Sequence, residues 1–157
     1  MKTKNYFNKK WLVEPPSQSK GWLVIPIFYL FFIQLLTGIP QPQTLNPQEV
    51  GEFWVSFSEE LFSYPFWLQD LSHLPLFFIF AWSWAWYLGP VKLVPGIHKN
   101  FCLHMCLSYS CLNELSQFFI PMRFPSPGDL IMNLAGVCLG LLFHQFMNKY
   151  LASQPSI

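Results

Sequence analysis

The chain has 157 residues, of which 11% are charged, 52% hydrophobic and 19% aromatic, and its net charge is +1. The length suits one domain. A soluble domain averages about 25% charged residues, so this composition argues against a water-soluble fold and for one that leaves apolar side chains in lipid. The near-zero net charge offers no bulk attraction for nucleic acid, and none is expected as a partner.

Lys2, Lys4, Lys9, Lys10 and Lys20 make residues 1–20 a basic N-terminal segment. The run 21–39 follows, apolar except for Tyr29, Gln34 and Thr37, and it stops at Pro40. A hydrocarbon core about 30 Å thick takes roughly 20 helical residues to cross, so 21–39 reads as a first transmembrane helix, in which Pro26 is tolerable. The run is too long for a secretory signal and no small-residue cleavage site follows it, so it reads as uncleaved.

The connection 40–70 is more polar. Asn46-Pro47-Gln48-Glu49 combines a cap, a first-turn proline and an acid three residues after the cap, the signature of a helix start. Val50, Phe53, Trp54, Phe57 and Leu61 then recur at helical spacing, with Glu49, Glu52, Glu59 and Glu60 among them. This pattern predicts a short amphipathic helix on the membrane surface within 46–63. Tyr64, Phe66 and Trp67 suit the interface.

Residues 71–89 form a second predicted span, ended by Gly89-Pro90, and the loop 90–99 carries Lys92 and Lys99. The third, 100–120, is the most polar, with His104, Ser108, Ser110, Asn113, Glu114, Ser116 and Gln117; between clear spans, those groups belong toward a bundle interior. Prolines 121, 125 and 127 break it. The last span covers 129–147, and a tail, 149–157, begins with Lys149. With the N-terminus inside, eight of the nine Lys and Arg residues fall on the cytoplasmic side and only Arg123 outside, as positive-inside counting requires. The expected fold is an all-α membrane protein, a four-transmembrane-helix bundle with both ends in the cytoplasm, multi-pass in the inner (plasma) membrane. The interfacial helix sits in its first outer loop.

This topology puts widely separated polar residues in one outer layer. Asp70 and His73 open the second span, Glu114 and Gln117 close the third, Arg123 lies in the outer loop, and Asp129 and Asn133 open the fourth. Asp70/His73 and Glu114/Gln117 are i,i+3 pairs, and Asp129, Asn133, Gly136 and Gly140 form a single helical stripe. Glu114 lies roughly 10 Å inward of the Pro121 break at 1.5 Å per residue. An ionisable group that deep is expensive unless paired or wet, hence a functional-site candidate. Arg123, the lone outer cation, is its natural partner and can grip a carboxylate or phosphate with both arms of its fork.

Structural readings compete at each position. Ser126-Pro127-Gly128-Asp129 reads as a capping box, which would make Asp129 a cap. Asn133 could bond across helices, His73 could be an interfacial side chain, and Glu114 could sit in a structural ion pair. Gly136-x-x-x-Gly140 is the spacing of close helix packing. Cys102, Cys106, Cys111 and Cys138 lie in apolar runs without a C-x-x-C pair, and read as free, buried thiols. His98, His104 and His144 are scattered, so no metal site is expected, and neither is a cofactor.

The run 113–140, NELSQFFIPMRFPSPGDLIMNLAGVCLG, resembles the VanZ-like membrane protein family, which shows Glu-x-x-Gln, then Pro-x-Arg, then Asp-x-x-x-Asn-x-x-Gly-x-x-x-Gly. Glu114, Gln117, Pro121, Arg123, Asp129, Asn133, Gly136 and Gly140 fall on that motif. The match in the second span is weaker: relatives carry Asp-Lys shortly before His-Phe, whereas here Asp70 precedes Leu71 and His73 precedes Leu74. The acidic stretch 46–63 looks like an addition. The resemblance implies a bacterial membrane domain over 21–148, whose namesake is linked to resistance to the glycopeptide teicoplanin; it implies no reaction.

Three functions are therefore expected in order. The first is a cell-envelope protein whose outer-face site binds a polar or anionic head group, such as that of a lipid-linked envelope intermediate, through Arg123, Glu114, Gln117, Asp129, Asn133, Asp70 and His73. Membrane lipids are its expected surroundings. The second is an enzyme on a lipid-linked cell-wall or polysaccharide intermediate, with Glu114 or Asp129 as general base and His73 as proton shuttle. The third is a purely structural polar layer. The sequence leaves the oligomeric state unassigned.

Overall fold

A computed structural model describes residues 9–17, 19–91 and 100–154. Lys2, Lys4, Lys92, His98 and Lys99, on which part of the orientation and metal arguments rested, lie outside the described residues. Within them the chain is helical and contains no strand: α1 (Val24–Thr37), α2 (Pro47–Val50), α3 (Glu52–Ser63), α4 (Phe66–Leu88), α5 (Phe101–Ser116) and α6 (Pro127–Ala152), joined by short 3-10 turns.

Two of these helices are long and apolar enough to cross a membrane. One is Lys20–Thr37, the turn Lys20–Leu23 running into α1, with a mean hydropathy of 1.6; the other is α6, at 1.7. Helix α4 has 23 residues, about 35 Å at 1.5 Å each, but its Trp, Tyr, His and Ser side chains lower its hydropathy. Helix α5 has 16. Large apolar side chains face outward: Phe28, Phe31, Phe66, Phe118 and Phe119 are exposed, the last by 90%. So much contiguous apolar surface marks a lipid or protein contact.

Helices α4 and α6 form the central pair, and glycine makes their approach possible. A Cβ added at Gly136 would meet Phe77 Cβ and the Phe78 backbone nitrogen at 3.0 Å, and one at Gly140 would meet Ala81 Cβ at 3.2 Å. Both glycines lie against the backbone of α4, an approach that small residues permit. Around this pair, Phe77, Phe80, Ala81, Ala85, Val137, Leu141 and Ile33 form the buried core with Cys102 and Cys106 of α5.

Helix α5 buries Cys102, Cys106, Ser110, Asn113 and Glu114, while Phe101, Leu112 and Leu115 face out; His104 and Ser108 lie on the outer face and are exposed, which corrects the expectation that every polar group of this segment turns inward. Cys111 and Cys138 are exposed on outward faces, which corrects the expectation that all four thiols are buried; position on a helix face, not local hydrophobicity, decides. All four are free.

The boundaries differ from expectation in four places. Helix α4 begins at Phe66, five residues early, because Pro65 suits a helix start, so Asp70 and His73 sit within its first turns. The surface helix is split: Asn46 caps α2, then Gly51, at φ 85°, breaks the backbone before α3. Positive φ is where glycine alone is unstrained. Helix α5 stops at Ser116 with a 3-10 turn beyond it. Helix α6 runs on to Ala152, so Lys149 and Tyr150 are helical rather than part of a tail.

The N-terminal segment is strapped across the far end of the central pair. Three consecutive carbonyls accept side-chain donors: Trp11 from Trp86 Nε1 (2.8 Å), Leu12 from Trp82 Nε1 (3.1 Å) and Val13 from His144 Nε2 (2.8 Å). Half-buried indoles and the buried His144 imidazole take such partners, which gives a role to two of the tryptophans of the second predicted span.

Candidate functional site

At the opposite end, the C-terminal ends of α1 and α5 meet the N-terminal ends of α4 and α6, and α3 lies alongside. Between them is a cleft of about 730 Å³. Asp70, His73, Gln117, Arg123 and Asp129 contribute its polar wall; Leu36, Leu61, Phe62, Phe66 and Leu76 contribute an apolar one. Five of the seven residues assigned to the outer layer thus share one cleft.

The other two stand behind it and hold it together. Asn133, one turn below Asp129 on α6 and fully buried, places its Oδ1 at 2.9 Å from His73 Nδ1. In the tautomer whose Nδ1–H faces that carbonyl, Nε2 is an acceptor. His73 is only 6% exposed. Its Nε2 makes no hydrogen bond among the described residues and lies 3.7 Å from Asp129 Oδ1, itself buried without a hydrogen-bond partner.

Glu114 plays an unexpected part. Ser126 caps α6, its Oγ accepting from the backbone N–H of Gly128 (3.1 Å) and Asp129 (3.4 Å). In a capping box the acid three residues on would take the backbone N–H of the cap. Here Glu114 Oε1, arriving from α5, accepts from the Ser126 N–H instead. Gln117 Nε2 donates to the other Glu114 oxygen at 3.5 Å. Glu114 therefore does the capping work that Asp129 would otherwise do, and the Asp129 carboxylate is left facing the cleft.

Arg123 is not paired with Glu114: no ion pair of 4 Å or less joins them. Its Nη2 donates to the Thr37 carbonyl at the end of α1 (3.0 Å), which a helix C-terminus leaves unsatisfied. Its guanidinium lies 5.0 Å from the Phe62 ring centroid, a cation–π contact from α3, and its Nε is buried without a partner. Burial pushes the guanidinium below its ordinary pKa, while the Asp129 and Glu114 carboxylates pull it back up; it stays a cation at any physiological pH. The turn that delivers it passes through Met122 at φ 60°, a conformation non-glycine residues rarely adopt.

Several contributors have weak sequence signals. Phe62 lies off the apolar face predicted for the surface helix, and Thr37 acts through its backbone, so composition marks neither. Gly128, read from the sequence only as part of the cap, also permits a close approach: a Cβ there would meet Asp70 Cγ at 3.0 Å. Asp70 thereby lies over the start of α6, beside Asp129. Among the described residues no three His, Cys, Asp or Glu side chains converge closely enough to hold a metal ion.

A family model described as VanZ/LLP1 matches residues 23–148. No curated protein matches the chain, and no solved structure does.

Proposed function

The chain belongs to the VanZ/LLP1 family, and from that premise we propose that it is a bacterial cell-envelope membrane protein whose cleft binds the polar or anionic head group of an amphiphile at the outer face. Four spans with both ends inside are part of this reading. Helix α4 has the length for a bilayer, and α5 buries Ser110, Asn113 and Glu114 while turning Phe101, Leu112 and Leu115 outward. Lysine placement favours the cytoplasmic assignment of the N-terminus.

One observation carries the binding reading. Arg123 Nε and Asp129 Oδ1 are buried without hydrogen-bond partners, and both residues line a cleft that an apolar wall completes. A buried polar atom without a partner costs about 1–3 kcal/mol, and at the cleft wall a ligand can supply the missing partner. A ligand that is polar at one end and apolar at the other fits both walls.

A second reading, an enzyme acting on a lipid-linked intermediate, is favoured by the oriented His73–Asp129 pair. Asp129 rather than Glu114 is then the base, because Glu114 is spent on the Ser126 cap. The test common to both is Arg123→Ala in the full chain, scored for membrane abundance, lipid co-purification and teicoplanin tolerance. Abundance retained with co-purified amphiphile lost is the expected result. Unchanged lipid content and tolerance would refute a role for the cleft.

A further inference from the structure

The charges of the cleft narrow the head group further. A simple anion would meet Arg123, but also the Asp70 and Asp129 carboxylates on the same wall, with Glu114 behind. One cation among three acids is a poor receptor for an unaccompanied negative charge. The polar wall divides instead into two halves. Arg123, with its unspent Nε, is a donor suited to a phosphate oxygen. On the other half are Asp129 Oδ1, unpartnered; His73 Nε2, 3.7 Å from it and an acceptor in the tautomer whose Nδ1–H faces Asn133 Oδ1; and Asp70, which shares a hydrogen bond, and so a proton, with Asp129. His73 is nine-tenths buried, so bulk water does not readily satisfy its free nitrogen. A primary ammonium carries three N–H donors and a positive charge, and it matches the two unpartnered acceptors, Asp129 Oδ1 and His73 Nε2, beside an Asp70–Asp129 pair that keeps a negative charge. A quaternary ammonium offers the charge without the donors.

We infer, resting on the amphiphile-binding reading above, that the cleft takes a phosphate–ammonium zwitterion of the ethanolamine type, its phosphate at Arg123 and its primary amine among His73, Asp129 and Asp70. The apolar wall, with Phe62 and Phe66, accommodates the lipid portion.

The test titrates the full chain, purified in a neutral maltoside detergent, with dihexanoyl phosphatidylethanolamine, phosphatidylcholine and phosphatidylglycerol, reading bound lipid by native mass spectrometry. Wild-type protein is expected to bind the ethanolamine lipid about tenfold more tightly than the other two, a difference worth one good charged contact. Asp129→Asn should level the ethanolamine and choline affinities, and Arg123→Ala should weaken all three. Asp70→Asn serves as a second variant, and the wild-type series decides alone should neither fold. Equal or tighter binding of phosphatidylcholine or phosphatidylglycerol to wild type would overturn the ethanolamine-type head group; if that binding is lost in Arg123→Ala, amphiphile recognition itself survives. Absence of saturable binding by any lipid sinks both. Free O-phosphoethanolamine supplies the remaining arm: affinity equal to that of the lipid supports the zwitterion and makes the occupant a soluble ester.

Discussion

Glu114→Ala separates the contact that the structure contains from the one that charge alone suggests. The substitution removes the acceptor for two donors, the Ser126 backbone N–H and Gln117 Nε2. Each buried donor left unsatisfied costs about 1–3 kcal/mol; Gln117 can turn toward the cleft, so the variant should lose about 2–4 kcal/mol overall. Glu114→Gln keeps a carbonyl for the cap and should lose about 1 kcal/mol, the charge-assisted part of the bond. Removing Arg123 as well should not help, because Arg123 is anchored on Thr37 and Phe62 rather than on Glu114. The assay is a double-mutant cycle on Glu114 and Arg123, read as reversible unfolding in mixed detergent micelles with membrane abundance as a companion measure. Were the two residues a buried ion pair, each single change would strand a charge and the double change would recover most of the loss. Recovery of the Glu114→Ala, Arg123→Ala double variant to near wild-type stability would refute the capping account.

Replacing Gly136 or Gly140 by Ala should lower stability by about 1–3 kcal/mol, the usual cost of overpacking, because the nearest atoms belong to the α4 backbone and cannot swing aside. Leu at either position should reduce folded yield on size-exclusion chromatography; unchanged melting in detergent would show that the two helices do not depend on this approach. Ser126→Ala removes the side-chain acceptor of two N–H groups and should lower stability by about 0.5–2 kcal/mol, measured in the same unfolding assay. Reporter fusions near residue 45 should read external and those at the C-terminus cytoplasmic, and an external C-terminus would move the cleft to the inner face.

Much of this protein is legible before any fold is drawn. Apolar length marks the helices Lys20–Thr37 and α6, and the i,i+3 and i,i+4 spacing of Ser110, Asn113 and Glu114 puts these three on one face of α5. Antiparallel crossing then places Asp70, His73, Gln117, Arg123 and Asp129 at one level, because each turn of the chain returns to the same end of the bundle. The Gly136 and Gly140 spacing similarly announces close packing, needing only the rule that small residues let backbones approach. What tertiary structure alone decided is which partner each polar group takes. Glu114 and Asp129 are both acids within reach of one helix start, and local rules favour Asp129 as the cap. Glu114 occupies that place because the approach of α5 to α6 brings its carboxylate to the Ser126 N–H, which leaves Asp129 turned to the cleft. Arg123 meets the Thr37 carbonyl and the Phe62 ring, 86 and 61 positions away along the chain, instead of the acid nearest it in charge logic. Hydrogen bonds and cation–π contacts are satisfied at about 3–5 Å, a scale on which small shifts of a helix exchange one partner for another, whereas hydrophobic period and length survive such shifts unchanged.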